Sequence, residues 1–243
     1  MNDQEMKKMS SLEKTYWWHV GKTKIVAELI RPIIGNFQNP KILDVGCGTG
    51  SLTKSLTPFG DVYGFDISET AVYFCRQQGL YNIKVGDINN LPYEDNFAEI
   101  IVCSDMLEHV DDDIHALKEL YRVLKPNGRL VITVPAHKFL WSVHDEALSH
   151  RRRYTKRELN YKLKSTGFVV ERDTYSVAFL FPAIFLYRTW QVFFTPYDLP
   201  KTSYVILPNF LNQFFLRTIE LEAFLMRYIR IPMGVSINSV VKK

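Results

Sequence analysis

The chain has 243 residues, of which 47% are hydrophobic and 14% aromatic, so it can bury a sizeable core and does not have the composition of a disordered protein. Its 30 Lys and Arg residues against 26 Asp and Glu give a net charge of +4, which is too mild to indicate a nucleic-acid-binding protein. The three cysteines, Cys47, Cys75 and Cys103, include no CxxC pair, so neither a zinc-thiolate site nor a disulfide framework is predicted.

The predicted elements alternate between helix and strand from the N-terminus to residue 134. A helix is predicted over 12–34, ending near Gly35, because its apolar positions recur at helical spacing. Ser68 is the predicted cap of the helix that follows the second strand. The predicted strands cover 41–45, 61–65, 82–85, 97–103 and 129–134, and a second helix covers 111–124. This alternation favours a parallel sheet with helices on both faces, in which ligands bind at the carboxyl ends of the strands.

The pattern changes beyond residue 134. Residues 168–175 and 235–241 alternate like strands, and the stretch between them is rich in Phe, Tyr and Leu at roughly helical spacing. We predict an insertion of helices between the last two strands. Its aromatic residues include Phe179, Phe181, Phe185, Trp190, Phe193 and Phe194. The apolar run at 177–187 stops at Arg188 and is shorter than the ~18 residues expected of a membrane-spanning helix.

Glycines occupy every second position after the first strand, at Gly46, Gly48 and Gly50. Glycine allows a positive φ and a close approach of a ligand to the backbone, and the start of the next helix offers free N–H groups. A dinucleotide-binding G-x-G-x-x-G motif would need glycine where Ser51 stands. The spacing therefore favours a nucleoside with an amino-acid tail over a nicotinamide dinucleotide.

Acidic residues lie at the ends of three successive predicted strands. Asp66 can accept hydrogen bonds from ribose hydroxyls, and Asp87 can accept one from an adenine amino group. Asp44 is placed to orient the glycine turn or to meet an ammonium group. A single acid here would indicate only a helix cap or a surface residue, but three together predict a cofactor site.

Four segments then resemble the class I S-adenosylmethionine-dependent methyltransferases, and more narrowly the methyltransferase type 11 and ubiquinone-biosynthesis O-methyltransferase group. They are LDVGCGTG (43–50), GFDIS (64–68), GDINNLPYEDNFAEIIVCSDMLEHV (86–110) and ELYRVLKPNGRLVITVP (119–135). The resemblance implies that Asp66 binds the ribose and that Asp87 lies beside the adenine, followed by Ile88. The predicted cofactor-binding residues are Asp44, Gly46, Cys47, Gly48, Gly50, Asp66, Ile67, Asp87, Ile88 and Ser104.

A second resemblance concerns residues 16–19 and 135–155. These segments are similar to a subset of bacterial and archaeal methyltransferases with a hydrophobic C-terminal part and poorly defined substrates. We predict a Rossmann-like, doubly wound, mostly parallel seven-stranded α/β sheet with an antiparallel last strand. The single domain 1–243 would comprise an N-terminal helical cap (1–38), a cofactor-binding core (39–176), an aromatic helical insertion (177–232) and a final strand (233–243).

Methyl transfer is an in-line displacement that depends on alignment, and a base helps when the acceptor is a hydroxyl. His109 is the best candidate for that base, because an imidazole titrates near working pH. The resemblance to quinone methyltransferases implies that Asp105, Glu108 and His109 could instead bind a divalent metal, although Asp105 is shorter than the glutamate of those enzymes. No metal site is firmly predicted, and a structural His109 stays an alternative.

Polar residues also follow the fifth strand, on the predicted acceptor side. They are His137, Trp141, His144, Asp145 and Glu146. His144 is the second catalytic candidate, and the alternative is a polar loop around a buried tryptophan. The basic run 150–157 is interpreted as a solvated helix face or as a contact to an anionic partner, either a phosphate-bearing substrate or membrane headgroups.

The sequence thus predicts an O-methyltransferase that acts on a small hydrophobic or lipid-linked hydroxyl and produces S-adenosylhomocysteine. Alternatives are a sugar or other small metabolite as acceptor, and a non-catalytic S-adenosylmethionine-binding module. A nucleic-acid methyltransferase is disfavoured because no Asn/Asp-Pro-Pro-aromatic motif follows the fourth strand at Ser104. The polar N-terminus lacks a signal peptide's apolar core, so a cytoplasmic location is expected. The insertion is interpreted as a lid over the site in preference to a peripheral membrane contact.

Overall fold

A computed structural model describes residues 12–194 and 207–243, with the side chains of 191–194 left undescribed. The described residues form one seven-stranded sheet in the order β3-β2-β1-β4-β5-β7-β6. The strands are β1 (Lys41–Val45), β2 (Asp61–Asp66), β3 (Ile83–Val85), β4 (Ala98–Ser104), β5 (Leu124–Pro135), β6 (Val169–Ser176) and β7 (Ser236–Lys242). The strands from β3 to β5 pair in parallel, whereas β7 is antiparallel to both β5 and β6. This arrangement confirms the predicted fold class.

Eight helices accompany the sheet within the described ranges. They are α1 (Trp17–Ile34), α2 (Ser51–Leu56), α3 (Glu69–Gln77), α4 (Asp113–Val123), α5 (Val143–Ala147), α6 (Lys156–Ser165), α7 (Phe181–Phe194) and α8 (Asn209–Leu225). The predicted cap of α3 forms, since the Ser68 side chain accepts a hydrogen bond from the Ala71 N–H at 3.3 Å. Helix α4 begins two residues later than predicted because Asp112 caps it, accepting a bond from the His115 N–H at 2.9 Å.

Helices cover both faces of the sheet, and the central strands are therefore apolar on both faces. All residues of β1 after Lys41 are buried, as are five of the seven residues of β4. One core cluster packs α4 and α6 against the sheet, and a second packs α1 and α8 against the other face. Gly21 lets α1 and α8 approach closely, because a Cβ there would lie 2.8 Å from Cδ1 of Ile219.

The insertion between β6 and β7 contributes α7 and α8, as the aromatic periodicity predicted. The part of the predicted insertion at 195–206, the side chains of Phe193 and Phe194, and residues 1–11 of the predicted cap lie outside the described residues. Among the described helices, none combines the length and the hydropathy that crossing a membrane requires.

The direction of strand addition reverses beside β1, since β2 and β3 lie on one side of it and β4 and β5 on the other. In open parallel sheets, ligands bind outside the carboxyl ends of the strands at this point. The glycine turn follows β1 there, and the polar segment at 104–112 follows β4.

Candidate active site

A cavity of about 1100 Å³ lies at the carboxyl ends of the parallel strands. Small-molecule pockets typically measure roughly 300–1,000 Å³, so this volume has room for a cofactor and an acceptor together. Residues from α1, from the turns after β1 to β5, and from α7 and α8 line it. Every predicted cofactor-binding residue is among them except Gly50.

The glycine turn is held in conformations that favour glycine. Gly46 has a φ of +73°, and a Cβ there would lie 2.6 Å from Cγ of Met106, so Met106 packs directly on this turn. Gly50 has a φ of +92°, and a Cβ there would lie 2.9 Å from Sγ of Cys75 and from Cδ1 of Leu80, so this position faces α3 and Leu80. Gly50 therefore shapes the turn and packs it on α3, whereas Gly46 and Gly48 leave room for a ligand.

Asp66 ties the end of β2 to the glycine turn. Its Oδ2 accepts a hydrogen bond from the Gly48 N–H and its Oδ1 accepts one from the Ser68 N–H, each at 2.9 Å. Each carboxylate oxygen retains a second lone pair, so Asp66 can still accept hydrogen bonds from a ligand in the cavity. The geometry suits a ribose with two adjacent hydroxyls.

Asp44 is a buried acid at the bottom of the same end of the cavity. Its Oδ2 accepts a hydrogen bond from the Thr53 hydroxyl at 2.7 Å, and the residue is 1% exposed. Burial is the main cause that raises the pKa of Asp44 to about 7, and the negative charges of Asp66 and Glu13 contribute to that rise. A buried carboxyl group with such a pKa suits a cationic ligand, such as the ammonium of an amino-acid tail.

The third acid, Asp87, lies after β3. Its Oδ1 accepts hydrogen bonds from the backbone N–H and the side-chain amide of Asn89, each at 2.9 Å, which leaves Oδ2 for a ligand. Ile88 is buried beside it, and Ile67 is 74% exposed at the cavity edge. This part of the cavity offers apolar surface next to an acceptor of hydrogen bonds, which fits a purine base.

The opposite end of the cavity carries imidazoles. His109, in a short 3₁₀ turn at Leu107–His109, and His144, in α5, both line it. Desolvation by the surrounding protein is the main cause that lowers the pKa of each to about 4, and the neighbouring His150 contributes to the shift of His109, which itself keeps an exposed surface. Both imidazoles are therefore neutral at pH 7 and can accept a proton.

One buried carboxylate, Asp145, organises the acceptor end. It accepts hydrogen bonds from Nε of Arg153 at 2.8 Å, from Nδ1 of His150 at 2.9 Å and from Nη1 of Arg188 at 3.0 Å. These bonds and positive charges overcome the effect of burial and hold the pKa of Asp145 well below its usual range. The interpretation of the basic run 150–157 as a solvated helix face is wrong for Arg153, which is 3% exposed.

Comparison with known proteins shows which family the segment around this cavity is similar to. Residues 43–132 match the family model described as a methyltransferase domain. Over 135 residues the chain is 33% identical to demethylmenaquinone methyltransferases from several strains of Staphylococcus aureus, covering 50% of this chain and 56% of theirs. The chain carries a class I S-adenosylmethionine-dependent methyltransferase domain. S-adenosylmethionine is therefore the cofactor of this domain, although the chain spans little more than half the length of the curated relatives it matches.

Solved structures agree on the fold of the domain. A complex between the Haloferax volcanii Trm112 methyltransferase activator and a methyltransferase matches with a TM-score of 0.60 at 19% identity, covering 99% of this chain and 94% of that chain. An S-adenosylmethionine-dependent methyltransferase from Archaeoglobus fulgidus matches with a TM-score of 0.58 at 18% identity, covering 90% and 94%. At these identities the likeness establishes the architecture of the methyltransferase domain alone.

The predicted metal trio does not assemble in this domain. Asp105 points to Lys22, whose Nζ lies 2.7 Å from Oδ1, and so Asp105 is neutralised by an ion pair. Glu108 and His109 are instead joined by His150, and ligand atoms of these three residues all lie within 4.8 Å of one another. We call them the Glu108 cluster. Two imidazoles and one carboxylate form a donor set that suits a divalent transition metal.

Two details fit the Glu108 cluster to a metal. Oε2 of Glu108 is buried and has no hydrogen-bond partner among the described residues. Asp145 accepts the bond from Nδ1 of His150 and leaves Nε2 facing Glu108 at 4.0 Å. Carboxylates often orient metal-binding histidines in this way, by accepting a hydrogen bond from the other ring nitrogen. Burial raises the pKa of Glu108, and the charge of Asp105 raises it further, so a cation would compete with a proton for this carboxylate.

The aromatic helix α7 forms one wall of the cavity. The insertion lines it with Leu180, Ala183, Ile184, Tyr187 and Arg188, and also with Leu207 just before α8 and Phe215 within α8. Other side chains of the same segments are exposed, among them Phe179 at 56% and Trp190 at 55%. Trp141, one of the polar-segment residues after β5, is only partly buried.

Sequence analysis missed the residues that complete the acceptor end. Lys22, His150, Arg153 and Arg188 all line the cavity and carry ionisable groups. Lys22 lies three residues after the segment 16–19 that carries the resemblance, and Arg188 interrupts an otherwise apolar helix. A basic residue inside an apolar run was the available signal for Arg188, since such a charge needs a partner when its helix is buried.

Proposed function

We propose that this protein transfers a methyl group from S-adenosylmethionine to a hydroxyl of a small hydrophobic or lipid-linked acceptor. One observation carries the proposal, namely that a single cavity joins the cofactor residues to two neutral imidazoles and an apolar wall. The demethylmenaquinone named for the curated relatives supports an acceptor with an apolar part. S-adenosylmethionine supplies an electrophilic methyl group when bound.

We assign the cofactor roles as follows. Asp66 would hold the ribose hydroxyls while keeping the glycine turn in place, and Asp87 with Ile67 and Ile88 would hold the adenine. Asp44 would meet the ammonium of the methionine tail. Gly46, Cys47, Gly48 and Ser104 would line the path of that tail, and Gly50 would support the turn from behind.

At the acceptor end, His109 would take the proton from the hydroxyl as the oxygen is methylated. Its pKa of about 4 leaves the ring neutral across the neutral pH range, but it also makes His109 a weaker base than an ordinary imidazole. His144 would orient the acceptor from α5. The Glu108 cluster offers a second way to activate the hydroxyl, since a bound divalent cation would lower the pKa of a coordinated hydroxyl group.

The remaining parts of the chain would work as one unit with this site. We propose that residues 1–38 cap the cofactor-binding core 39–176, that 177–232 form its lid, and that 233–243 complete the sheet. The ion pair between Lys22 and Asp105 supports the cap, because it joins α1 to the turn after β4. The lining by α7 supports the lid.

A peripheral membrane contact through the insertion is a further part of the proposal. It is supported by the exposed face of α8, where Phe210 is 72% exposed, Phe214 61%, Leu221 54% and Phe224 47%. These residues recur at helical spacing and so share one mostly apolar face of α8, which also carries the exposed Arg217. Such a face can lie in a membrane interface and would bring the cavity close to a lipophilic acceptor.

The test is transfer of a labelled methyl group to a panel of hydroxyl acceptors that includes hydroquinones, sugars and aliphatic alcohols. We expect turnover with apolar hydroxyl acceptors and about a hundredfold loss in His109→Ala, with unchanged binding of S-adenosylhomocysteine. Exposed His115→Ala in α4 is the matched control. Cofactor binding without turnover on any acceptor would favour the non-catalytic module, and unchanged turnover in His109→Ala would remove its role as base.

A further inference from the structure

Two arginines at the acceptor end share one carboxylate. Arg153 and Arg188 both contact Asp145, at 2.8 and 3.0 Å. Of the other acids that line the cavity, Asp105 pairs with Lys22 and Asp111 with Arg151, and no ion pair among the described residues joins any of them to Arg153 or Arg188. Two guanidinium groups against one carboxylate leave one positive charge without a counter-charge.

That charge belongs to Arg188. All three of its hydrogen bonds use Nη1, which donates to the Leu140 carbonyl at 2.6 Å, the Ser142 hydroxyl at 3.1 Å and Asp145. Nε and Nη2 donate to no other described residue, and neither is sealed in the interior. Arg153 differs, because its Nε, Nη1 and Nη2 all make hydrogen bonds with Asp145 or the Ala136 carbonyl.

Arg188 lines the cavity, and Nε and Nη2 are its two nitrogens without a hydrogen-bond partner among the described residues. Nε and Nη2 of a guanidinium form a planar fork that donates two parallel hydrogen bonds to an oxyanion. A charge held away from water is costly unless a counter-charge meets it. Burial is the main cause that lowers the pKa of Arg188 to about 10, and the nearby charge of Arg153 contributes to that shift. An anion at Arg188 would offset both the loss of water and the repulsion by Arg153.

We propose that Arg188 binds a phosphate group on the acceptor. This inference rests on the proposed function and adds that the acceptor is an anionic amphiphile. Its phosphate lies at Arg188 beside His144, and its apolar part lies along Leu180, Ile184 and Phe215, which line the same cavity from α7 and α8. A phosphate ester is favoured over a carboxylate because its additional oxygens can also reach His144, which lines the same cavity.

A purely structural role is the competing explanation. In that case Arg188 would only fasten α7 to the segment 140–145 through its Nη1 bonds. The two explanations differ in what the side chain does for a ligand, since a fastener contributes to stability and not to the preference among ligand headgroups.

The experiment measures binding of octyl phosphate, octanoate, octanol and inorganic phosphate to the protein saturated with S-adenosylhomocysteine, by calorimetry at constant ionic strength. We expect octyl phosphate to bind about tenfold or more tightly than octanol, the value of one charge-assisted hydrogen bond, and more tightly than inorganic phosphate. Arg188→Met should lose this preference while its affinity for octanol stays unchanged. Arg188→Lys, which keeps the charge, should retain part of it.

Arg217→Met is the matched control, because Arg217 lies on the exposed face of α8 and its one ion pair among the described residues is with Glu220. It should leave every affinity unchanged. Equal affinity for octyl phosphate and octanol in the unaltered protein would overturn the proposal, as would an equal loss of both ligands in Arg188→Met. Tighter binding of octanoate would replace the phosphate by a carboxylate, and equal binding of inorganic phosphate would overturn the amphiphilic acceptor. Failure to bind S-adenosylhomocysteine would instead count against the proposed function.

Discussion

Replacing Asp66 by alanine removes the acceptor that joins the end of β2 to the glycine turn. Two backbone N–H groups, those of Gly48 and Ser68, lose their partner at 2.9 Å. Hydrogen bonds to a charged group contribute about 1.5–3 kcal/mol each. Part of this loss destabilises the free protein, and the rest appears in binding because the carboxylate no longer accepts bonds from the ribose hydroxyls.

If about 2 kcal/mol of the loss falls on the ligand, the dissociation constant for S-adenosylhomocysteine rises roughly 30-fold. Calorimetry at 25 °C measures it, and urea unfolding measures the accompanying loss of stability. Asp61→Asn is the matched control, because Asp61 is exposed at the other end of β2 and accepts a bond only from the Asn39 amide at 3.0 Å. An affinity of Asp66→Ala close to that of the control would refute the assignment of the ribose site.

Further predictions concern metal, pH and packing. Mn²⁺ or Zn²⁺ at ~100 times its dissociation constant should stabilise the protein by roughly 2.7 kcal/mol, and Glu108→Gln should abolish that shift in melting temperature. Because burial lowers the pKa of His19 and of His144 to about 4, the unfolded chain binds more protons below pH 6.5. The free energy of unfolding should then fall between pH 6.5 and 4 by up to about 3 kcal/mol per histidine, and urea curves at pH 7 and 5 test this. Gly21→Val should destabilise by about 1–3 kcal/mol through the clash with Ile219, and Gly35→Ala, which meets nothing within 4 Å, should not.

The cofactor half of the site follows from the sequence because its residues are local to strand ends. Apolar runs located the strands, and acids directly after parallel strands converge at one edge of a sheet. Asp66 and Asp87 could therefore be assigned without knowing any tertiary contact. Gly50 is the predicted cofactor-binding residue that does not line the cavity, since spacing does not reveal that α3 packs behind it.

The acceptor half depends on contacts between distant segments, and so periodicity did not find it. Arg188 is 43 positions from Asp145, and Lys22 is 83 from Asp105. In the sequence Arg153 looks like one member of an exposed basic run. Arg153 is buried in the structure because it forms an ion pair with the buried carboxylate of Asp145, and the sequence does not reveal this contact.

The pKa of Asp44 yields the sharpest prediction about cofactor recognition. Burial raises it to about 7, so roughly half of these carboxyl groups carry a proton in the free protein at pH 7. A ligand ammonium beside Asp44 favours the ionised form and expels that proton. Binding of S-adenosylhomocysteine at pH 7 should therefore release up to about half a proton. The release should fall towards zero above pH 8 and rise towards a full proton near pH 6.

Calorimetric titrations in two buffers with different ionisation enthalpies measure this release. Methylthioadenosine, which has the nucleoside but no amino-acid tail, should release none, and Asp44→Asn should abolish the release with the full ligand. The same substitution should stabilise the free protein above pH 7. At that pH Asp44 is ionised, and its raised pKa means that the charge is more stable in the unfolded chain than in the folded interior, so removing the charge favours folding. Equal proton release by the two ligands would place the ammonium away from Asp44, and the buried acid would then serve only to hold Thr53 and the glycine turn.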